Sequence, residues 1–469
     1  MPTHPPRPLL GLCPIGKFVF SHEDALRQKR ALQKRLRAWR VPFTDLDDVL
    51  PDGLVRDQAH VEAAVRHFRA RGVDALFLPH CNFGTEGAVG MIGRQLGVPV
   101  LLWGPRDEAP LPDGTRLRDT LCGMLASSKV LHKLAVPFSY IENCRLDEPP
   151  LREGLDRFRR AVNAARALRS GIRIGHIGQR IDFFWTTIVN ESELLERFHV
   201  EVVPIDLVTF IESVRARVRR GEAAYRGQAR AARRRLDIEG YADDQPLINV
   251  LAMRDQMLAH VADLGLDALA LQDFQSLVDA LGTYGFYASS LVGDTCPVSM
   301  ESDIHGAVSL VLLHRAMLGA DPVFLADVTV RHPEDDNGVL LWHAGAPTRL
   351  RRPGTRIRLG RHWILPTPLA GMPHFPLRDG PITVARFDGD RGAYRLAVGE
   401  GESMPGPLTL NNYVWMKVDD WPRWERRLIE GPFIHHTAMG YAHCADALVE
   451  ACRYVPGLEP VRLNRQPEG

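Results

Sequence analysis

The sequence predicts an α/β protein: two Rossmann-like, doubly wound α/β domains followed by a C-terminal antiparallel β-rich, barrel-like domain. Three observations carry this expectation. Strand and helix signals alternate through the first third at the spacing of parallel strands with crossover helices. The alternation restarts at Ile172-Arg-Ile-Gly-His-Ile-Gly178. From about Asp321 short strand candidates follow one another, separated by Gly, Pro and Asp, and these read as hairpins. The 469 residues accommodate two to four domains by length alone. The pattern places them at 1–160, 161–320 and 321–469.

Taken in order, Leu9–Cys13 reads as a buried strand and His22–Arg40 and Val61–Arg71 as helices. Ala75–Pro79 is a second strand, Thr85–Leu96 a helix and Val98–Trp103 a third strand. The charged segment Asp147–Arg160 marks the exit from this unit. The second unit continues from Ile172–Gly178 through helix Glu191–Phe198, strand Val200–Ile205 and one long helical stretch, Leu207–Arg235. Strand Asp267–Gln272, a helix near Ser276–Leu281, strand Pro297–Met300 and helix Ile304–Leu318 complete it. The third part holds strand candidates Val323–Arg331, Gly338–His343, Arg356–Gly360, Ile382–Phe387 and Tyr394–Val398. The Pro-rich join Leu365–Leu369 fits a loop between barrel strands. Helices at Trp421–Leu428 and Ala445–Tyr454 close the chain.

Composition excludes several partners. Lys+Arg is 58 and Asp+Glu 57, a formal net charge of +1. A nucleic-acid or anionic-membrane surface would want a basic excess, so neither is expected. The Arg-rich stretch Arg215–Arg235 reads accordingly as a solvated helix face. No apolar run approaches the roughly 20 residues that span a bilayer. The start, Met1–Pro8, lacks the charged-then-apolar pattern of a secretory signal. The seven cysteines are scattered without a CxxC pair, which suggests neither a disulfide framework nor structural zinc. The expected address is cytoplasmic.

Three motifs could carry chemistry. Met300-Glu-Ser-Asp-Ile-His-Gly-Ala307 falls between a buried strand and an apolar helix, at the carboxyl end of a parallel strand where ligands bind in open sheets. If the backbone is still extended, Glu301 and Asp303 at i, i+2 point the same way. Two converging carboxylates call for a shared cation or proton. The plainer reading makes Ser302 or Asp303 the helix N-cap. The second motif, Ile434–Cys444, contains His435, His436 and His443; in an extended segment His435 and His436 face opposite ways, so one of them joins a given site. The third is Leu341–Pro347, a strand ending in His343, which fits a site residue or a hairpin-end histidine bonded to backbone. Carboxylates with imidazoles suit Mn²⁺, Mg²⁺, Fe²⁺ or Zn²⁺, and such ions polarise hydroxyl and carbonyl oxygens and acidify an adjacent C–H. Two further strand-end loops are candidates for sugar or anion contact, with a tight turn and core packing as their plainer readings. One is His80–Gly87 with Asn82; the other is Gly175–Gly178 before the aromatic run that ends in Trp185.

At Glu301–Ala307, Phe324–Val328, Leu340–Gly345 and His436–Tyr441, in this order, the sequence resembles the L-fucose isomerase-like family, relatives of L-arabinose isomerase. The resemblance implies two α/β domains and a β-rich third, with a Mn²⁺-dependent aldose–ketose isomerase site, working through an enediol, between the second and third. It implies metal ligands Asp303, His436 and Glu301, and catalytic Asp303 with Glu301 and Asp273. The family's upstream Glu has no Glu counterpart across residues 272–290, where Asp273 or Asp279, or Glu301 beyond it, are the substitutes. His343, Gln272, Trp185, His80 and Asn82 would contact the sugar, and a homo-oligomer is expected, with His80–Glu86 reaching a neighbouring protomer's site. The rival expectations are a non-catalytic sugar-binding or regulatory protein on the same fold, and another carbon-acid enzyme such as a lyase.

Overall fold

The computed structural model describes residues 7–364 and 370–465; the expected loop at Leu365–Leu369 and the first residues of the chain lie outside them. Two compact units are present, residues 5–163 and residues 164–469.

The first is a parallel sheet in the order Phe43–Thr44, Leu10–Leu12, Ala75–Pro79, Val100–Trp103, Phe138–Tyr140. Its three central strands are buried at every position, as continuous apolar runs are when helices cover both faces. The connecting helices are His22–Ala38, Val61–Arg71, Glu86–Leu96 and Thr120–Lys133. The two outer strands, two and three residues long, are too short to leave a sequence pattern. The charged segment Asp147–Arg160, expected as the exit from this unit, runs into helix Pro149–Ser170.

The second unit contains a four-stranded parallel sheet in the order Val298–Ser299, Ala268–Leu271, Ile172–Ile177, Val200–Ile205. It also contains a closed antiparallel barrel. Around the barrel run Ala393–Met404, Pro381–Asp390, His436–Gly440, Phe324–Arg331, Gly338–His343 and Asn412–Lys417, and the last pairs back with the first. Strands Ala370–Pro376, Ile357–Arg361 and Leu236–Ile238 extend the sheet outward.

Residues on the two sides of the boundary expected at 320 pack together in two places. Leu236–Ile238, from the second α/β stretch, pairs with Ile357–Arg361. Helix Ile304–Ala316 packs on the parallel strand Ala268–Leu271 and on barrel strands Pro381–Asp390 and His436–Gly440. That helix is buried on nearly all sides, which is why its sequence is apolar all round. The long helix expected over 207–235 breaks at Gly221 into Leu207–Arg220 and Glu222–Arg233. Its arginines pair locally, Arg215 with Glu212 and Arg226 with Glu222, as a solvated face does. Among the described residues no helix is long and apolar enough to cross a membrane.

Candidate metal centre

Strand Val298–Ser299 ends in a turn rather than an extended run. Glu301 (φ 58°) and Ser302 (φ 56°) are both left-handed, a conformation that costs about 1–3 kcal/mol per non-glycine residue and persists only where surroundings over-determine it. Here they do. The Ser302 N–H donates to the Leu271 carbonyl (3.0 Å), its hydroxyl to the Gln179 carbonyl (2.9 Å), and the Glu301 N–H to Asp273 Oδ1 (3.2 Å). The expectation that Glu301 and Asp303 point the same way is therefore corrected. They reach opposite edges of one imidazole, with Glu301 Oε2 3.2 Å from His436 Nε2 and Asp303 Oδ2 2.9 Å from His436 Nδ1.

His436 begins a barrel strand and pairs across it with Asp327, whose Oδ1 lies 3.6 Å from His436 Nε2. His343 ends another barrel strand. Its Nδ1 faces the Ala344 carbonyl at 3.0 Å, and its Nε2 lies 3.8 Å from Glu301 Oε1. One donor atom each from Glu301, His343 and His436 lie within 4.8 Å of one another, as do one each from Asp327, His435 and His436. Three buried polar atoms here have no hydrogen-bond partner: Asp273 Oδ2, Asp327 Oδ1 and His436 Nε2. Buried polar atoms are normally satisfied, and mixed carboxylate–imidazole donors suit a divalent first-row ion. The residues fit such an ion.

Asp303 has another task. Both its oxygens face the buried Arg386 guanidinium, at 2.5 Å to Nη1 and 3.3 Å to Nη2, and it caps helix Ile304–Ala316 through the Gly306 N–H at 2.8 Å. With the His436 bond added, its lone pairs are committed. In this packing Asp303 holds the Nδ1 edge of the His436 ring, and Nε2 is turned toward Glu301 and Asp327. Arg386 is held in turn by Asp388 (3.2 Å), whose other oxygen meets His305 Nδ1 at 3.3 Å.

The electrostatics follow from this packing. Burial would raise the Asp303 carboxyl, but the Arg386 charge and the His436 hydrogen bond hold it far below the usual carboxylate range. Burial would lower His436, yet the hydrogen bond to Asp303 and the close Glu301 carboxylate push it up to about 10. Glu301 is lowered: burial opposes, while the close His436 ring, with His343 beside it, outweighs it. Asp273 moves the other way, raised first by burial and then by the Glu301 charge. Two neighbouring carboxyls with opposed shifts are suited to different roles.

Of the remaining expected residues, His343 belongs with the ligand atoms rather than with sugar contacts alone. Gln272 Oε1 accepts the Gln179 N–H at 2.9 Å, a crossing that needs Gly178, because a Cβ there would stand 2.4 Å from that oxygen. Trp185 is 76% exposed. His435 is not turned away from its neighbour: the two rings sit 4.4 Å apart beside Asp327. His443 pairs with Glu402 at 2.8 Å on the surface, and Asp279 is bonded to Gln275. His80 and Asn82 belong to the other unit, where both are consumed by internal hydrogen bonds: His80 Nε2 meets Ser127 Oγ at 2.8 Å, and Asn82 Oδ1 accepts the Lys17 N–H at 2.8 Å. The expected reach of that loop into a site finds no free polar group in these two side chains. Sequence reasoning missed Asp327 and Arg386. The first stood inside a motif already singled out, Phe324–Val328, and the second is a charged residue within the buried run Ile382–Phe387.

In sequence the chain is similar to the fucose isomerase-like family. Residues 11–169 match the family described as fucose/sulfoquinovose isomerase, N-terminal domain. Sulfoquinovose isomerases of Priestia aryabhattai and Priestia megaterium are each 26% identical over 397 residues, covering 83% of this chain and 84% of theirs. That of Alkalicoccus urumqiensis is 28% identical over 341 residues, covering 72% and 74%.

Proposed function

We propose that the chain is a sugar isomerase, an intramolecular oxidoreductase that interconverts an aldose and its ketose on a divalent cation held by Glu301, His343 and His436. The observation that carries this reading is the convergence of those three donors beside Asp273, a buried acid with one oxygen unpartnered. A divalent cation there supplies Lewis-acid polarisation of the carbonyl and neighbouring hydroxyl oxygens of an open-chain sugar. Asp273, in its ionised form, takes the proton from C2 of the aldose; the electron pair left behind forms the C1–C2 double bond as the C1=O π bond breaks onto O1, which takes the proton of the O2 hydroxyl. The same carboxyl returns the proton to C1, while the C2 oxygen becomes the carbonyl of the ketose. Burial and the Glu301 charge keep Asp273 basic enough for this task. Glu301 stays ionised, and the buried pair Arg386–Asp303 keeps the His436 ring in register. Mn²⁺, the ion the family resemblance implies, is among those this donor set suits.

Incubation of the Mn²⁺-loaded protein with sulfoquinovose, the sugar named for its relatives, and with neutral aldoses in D₂O tests the reading. Ketose product and cation-dependent deuterium entry are expected. A bound sugar that takes up no deuterium across the panel would instead identify a binding protein.

A further inference from the structure

Asp327 and His435 take no part in the proposed reaction, yet one donor atom from each lies within 4.8 Å of a His436 ring nitrogen. Asp327 and His436 stand opposite each other on antiparallel barrel strands, and directly opposed residues present their side chains on one face. His435 would face away if it lay within the strand. It precedes the first strand residue instead, and its ring comes to 4.4 Å from that of His436. His435 Nε2 lies 3.9 Å from Asp327 Oδ1, which is 3.6 Å from His436 Nε2. Those last two atoms are buried and have no hydrogen-bond partner among the described residues, where buried polar atoms are normally satisfied. A carboxylate with two imidazoles suits a divalent cation.

Two groups of cation donors thus meet at one atom. His436 Nδ1 is held by Asp303 at 2.9 Å, so Nε2 is the ring nitrogen left, and its single lone pair serves one ion at a time. The two groups differ in access. The His435 side chain is 49% exposed and that of Asp327 16%, against 5% for His343 and 1% for His436. A half-exposed imidazole must be immobilised and dehydrated before it binds, whereas buried donors are already held. The outer group, Asp327 and His435, is therefore the easier to reach and the weaker in binding. The inner group, Glu301 and His343, is the harder to reach and the stronger.

We propose that Asp327, His435 and His436 form an entry position for the divalent cation. The ion exchanges part of its hydration shell for Asp327 and His435 at the rim. It then passes to Glu301 and His343 by way of the shared His436 Nε2. The inference rests on the reading of Glu301, His343 and His436 as the resident site, and it adds the route by which that site fills and empties.

The test follows Mn²⁺ uptake by the metal-stripped protein in stopped flow with a chromophoric indicator, and Mn²⁺ release into excess chelator. Wild type, His435→Gln and Asp327→Asn are compared. A group that acts only on the route changes both rates and leaves the equilibrium alone. His435→Gln, which removes a donor without changing the charge of a neutral ring, should lower uptake and release together by about 10-fold. Its dissociation constant, measured by calorimetry, should stay within about twofold of wild type. Asp327→Asn should slow uptake at least as much. Uptake unaltered in both variants overturns the inference and leaves the resident site standing. Faster release with uptake unaltered also overturns it, because Asp327 and His435 would then be ligands of the resident ion. A wild type that takes up no Mn²⁺ removes the resident site and the entry position together.

Discussion

Two strand-to-helix turns in this molecule look alike as sequence and differ in what their polar atoms do. In the first unit, strand Ala75–Pro79 passes through His80–Thr85 into helix Glu86–Leu96; in the second, Val298–Ser299 passes through Met300–Asp303 into helix Ile304–Ala316. The first turn is closed on itself. Thr85 Oγ1 donates to the Gly16 and Arg56 carbonyls at 3.0 and 2.9 Å, the Asn82 side chain ties down Lys17, and burial lowers His80 to about 4, a neutral ring wedged against Ser127. The second turn is strained at two residues and stands beside buried polar atoms without partners among the described residues: Asp273 Oδ2, Asp327 Oδ1 and His436 Nε2. Polar residues after a strand therefore do not by themselves mark a site. Buried polar atoms left without partners do, and they are visible only once the chain is folded.

The sharpest way to break this contrast is at Asp273. Asp273→Asn should lower kcat about 10²- to 10⁴-fold, the range for loss of a general base, while Mn²⁺ content measured by elemental analysis stays at the wild-type level. Equal loss of metal and rate would make Asp273 a ligand. Next in size is Arg386→Met, which strands the buried Asp303 charge. Removing one partner of a buried pair costs about 3–5 kcal/mol, read by denaturant unfolding, and a loosened His436 should weaken Mn²⁺ binding about 10- to 100-fold. The first turn should respond differently. His80→Phe leaves Ser127 unpartnered at about 1–3 kcal/mol and leaves Mn²⁺ binding intact. A fall in metal affinity there would erase the distinction between the turns.

A smaller effect appears with pH in chelator-treated protein. His436 is raised from 6.5 to about 10 in the folded state, so its stabilisation is fully present below about pH 6.5 and is lost as pH rises through 10. Asp303 is depressed, so its share is present above its unfolded value near 3.9 and is lost in acid. The stability advantage of wild type over His436→Asn, followed by thermal unfolding, should be greatest between about pH 4 and 6.5 and should shrink toward pH 10.

Much of the fold was legible because its signals are local. Val61–Arg71, Ala75–Pro79, Glu191–Phe198, Val200–Ile205, Ser276–Leu281 and Gly338–His343 appear at the expected residues. Strands of two or three residues, such as Phe43–Thr44, leave no periodicity to read, and Gly221 hid a helix break inside a continuous charged pattern. At the site, the residue types were legible and the roles were not. The sequence spacing of Glu301 and Asp303 suggested a shared face, but two left-handed residues turned them to opposite edges of His436. Arg386 and Asp327 come from other barrel strands, and no local pattern tells which carboxylate a distant guanidinium will neutralise. That pairing commits the Asp303 oxygens and leaves Glu301 as the proposed ligand.

Mn²⁺ binding to the metal-stripped protein, measured by calorimetry for wild type, Glu301→Gln, His436→Ala and Asp303→Asn, tests this division of roles most directly. Stoichiometric binding by the wild type is predicted, abolished by Glu301→Gln and His436→Ala and weakened about 10- to 100-fold but retained in Asp303→Asn. Binding that survives Glu301→Gln and disappears with Asp303→Asn would contradict it.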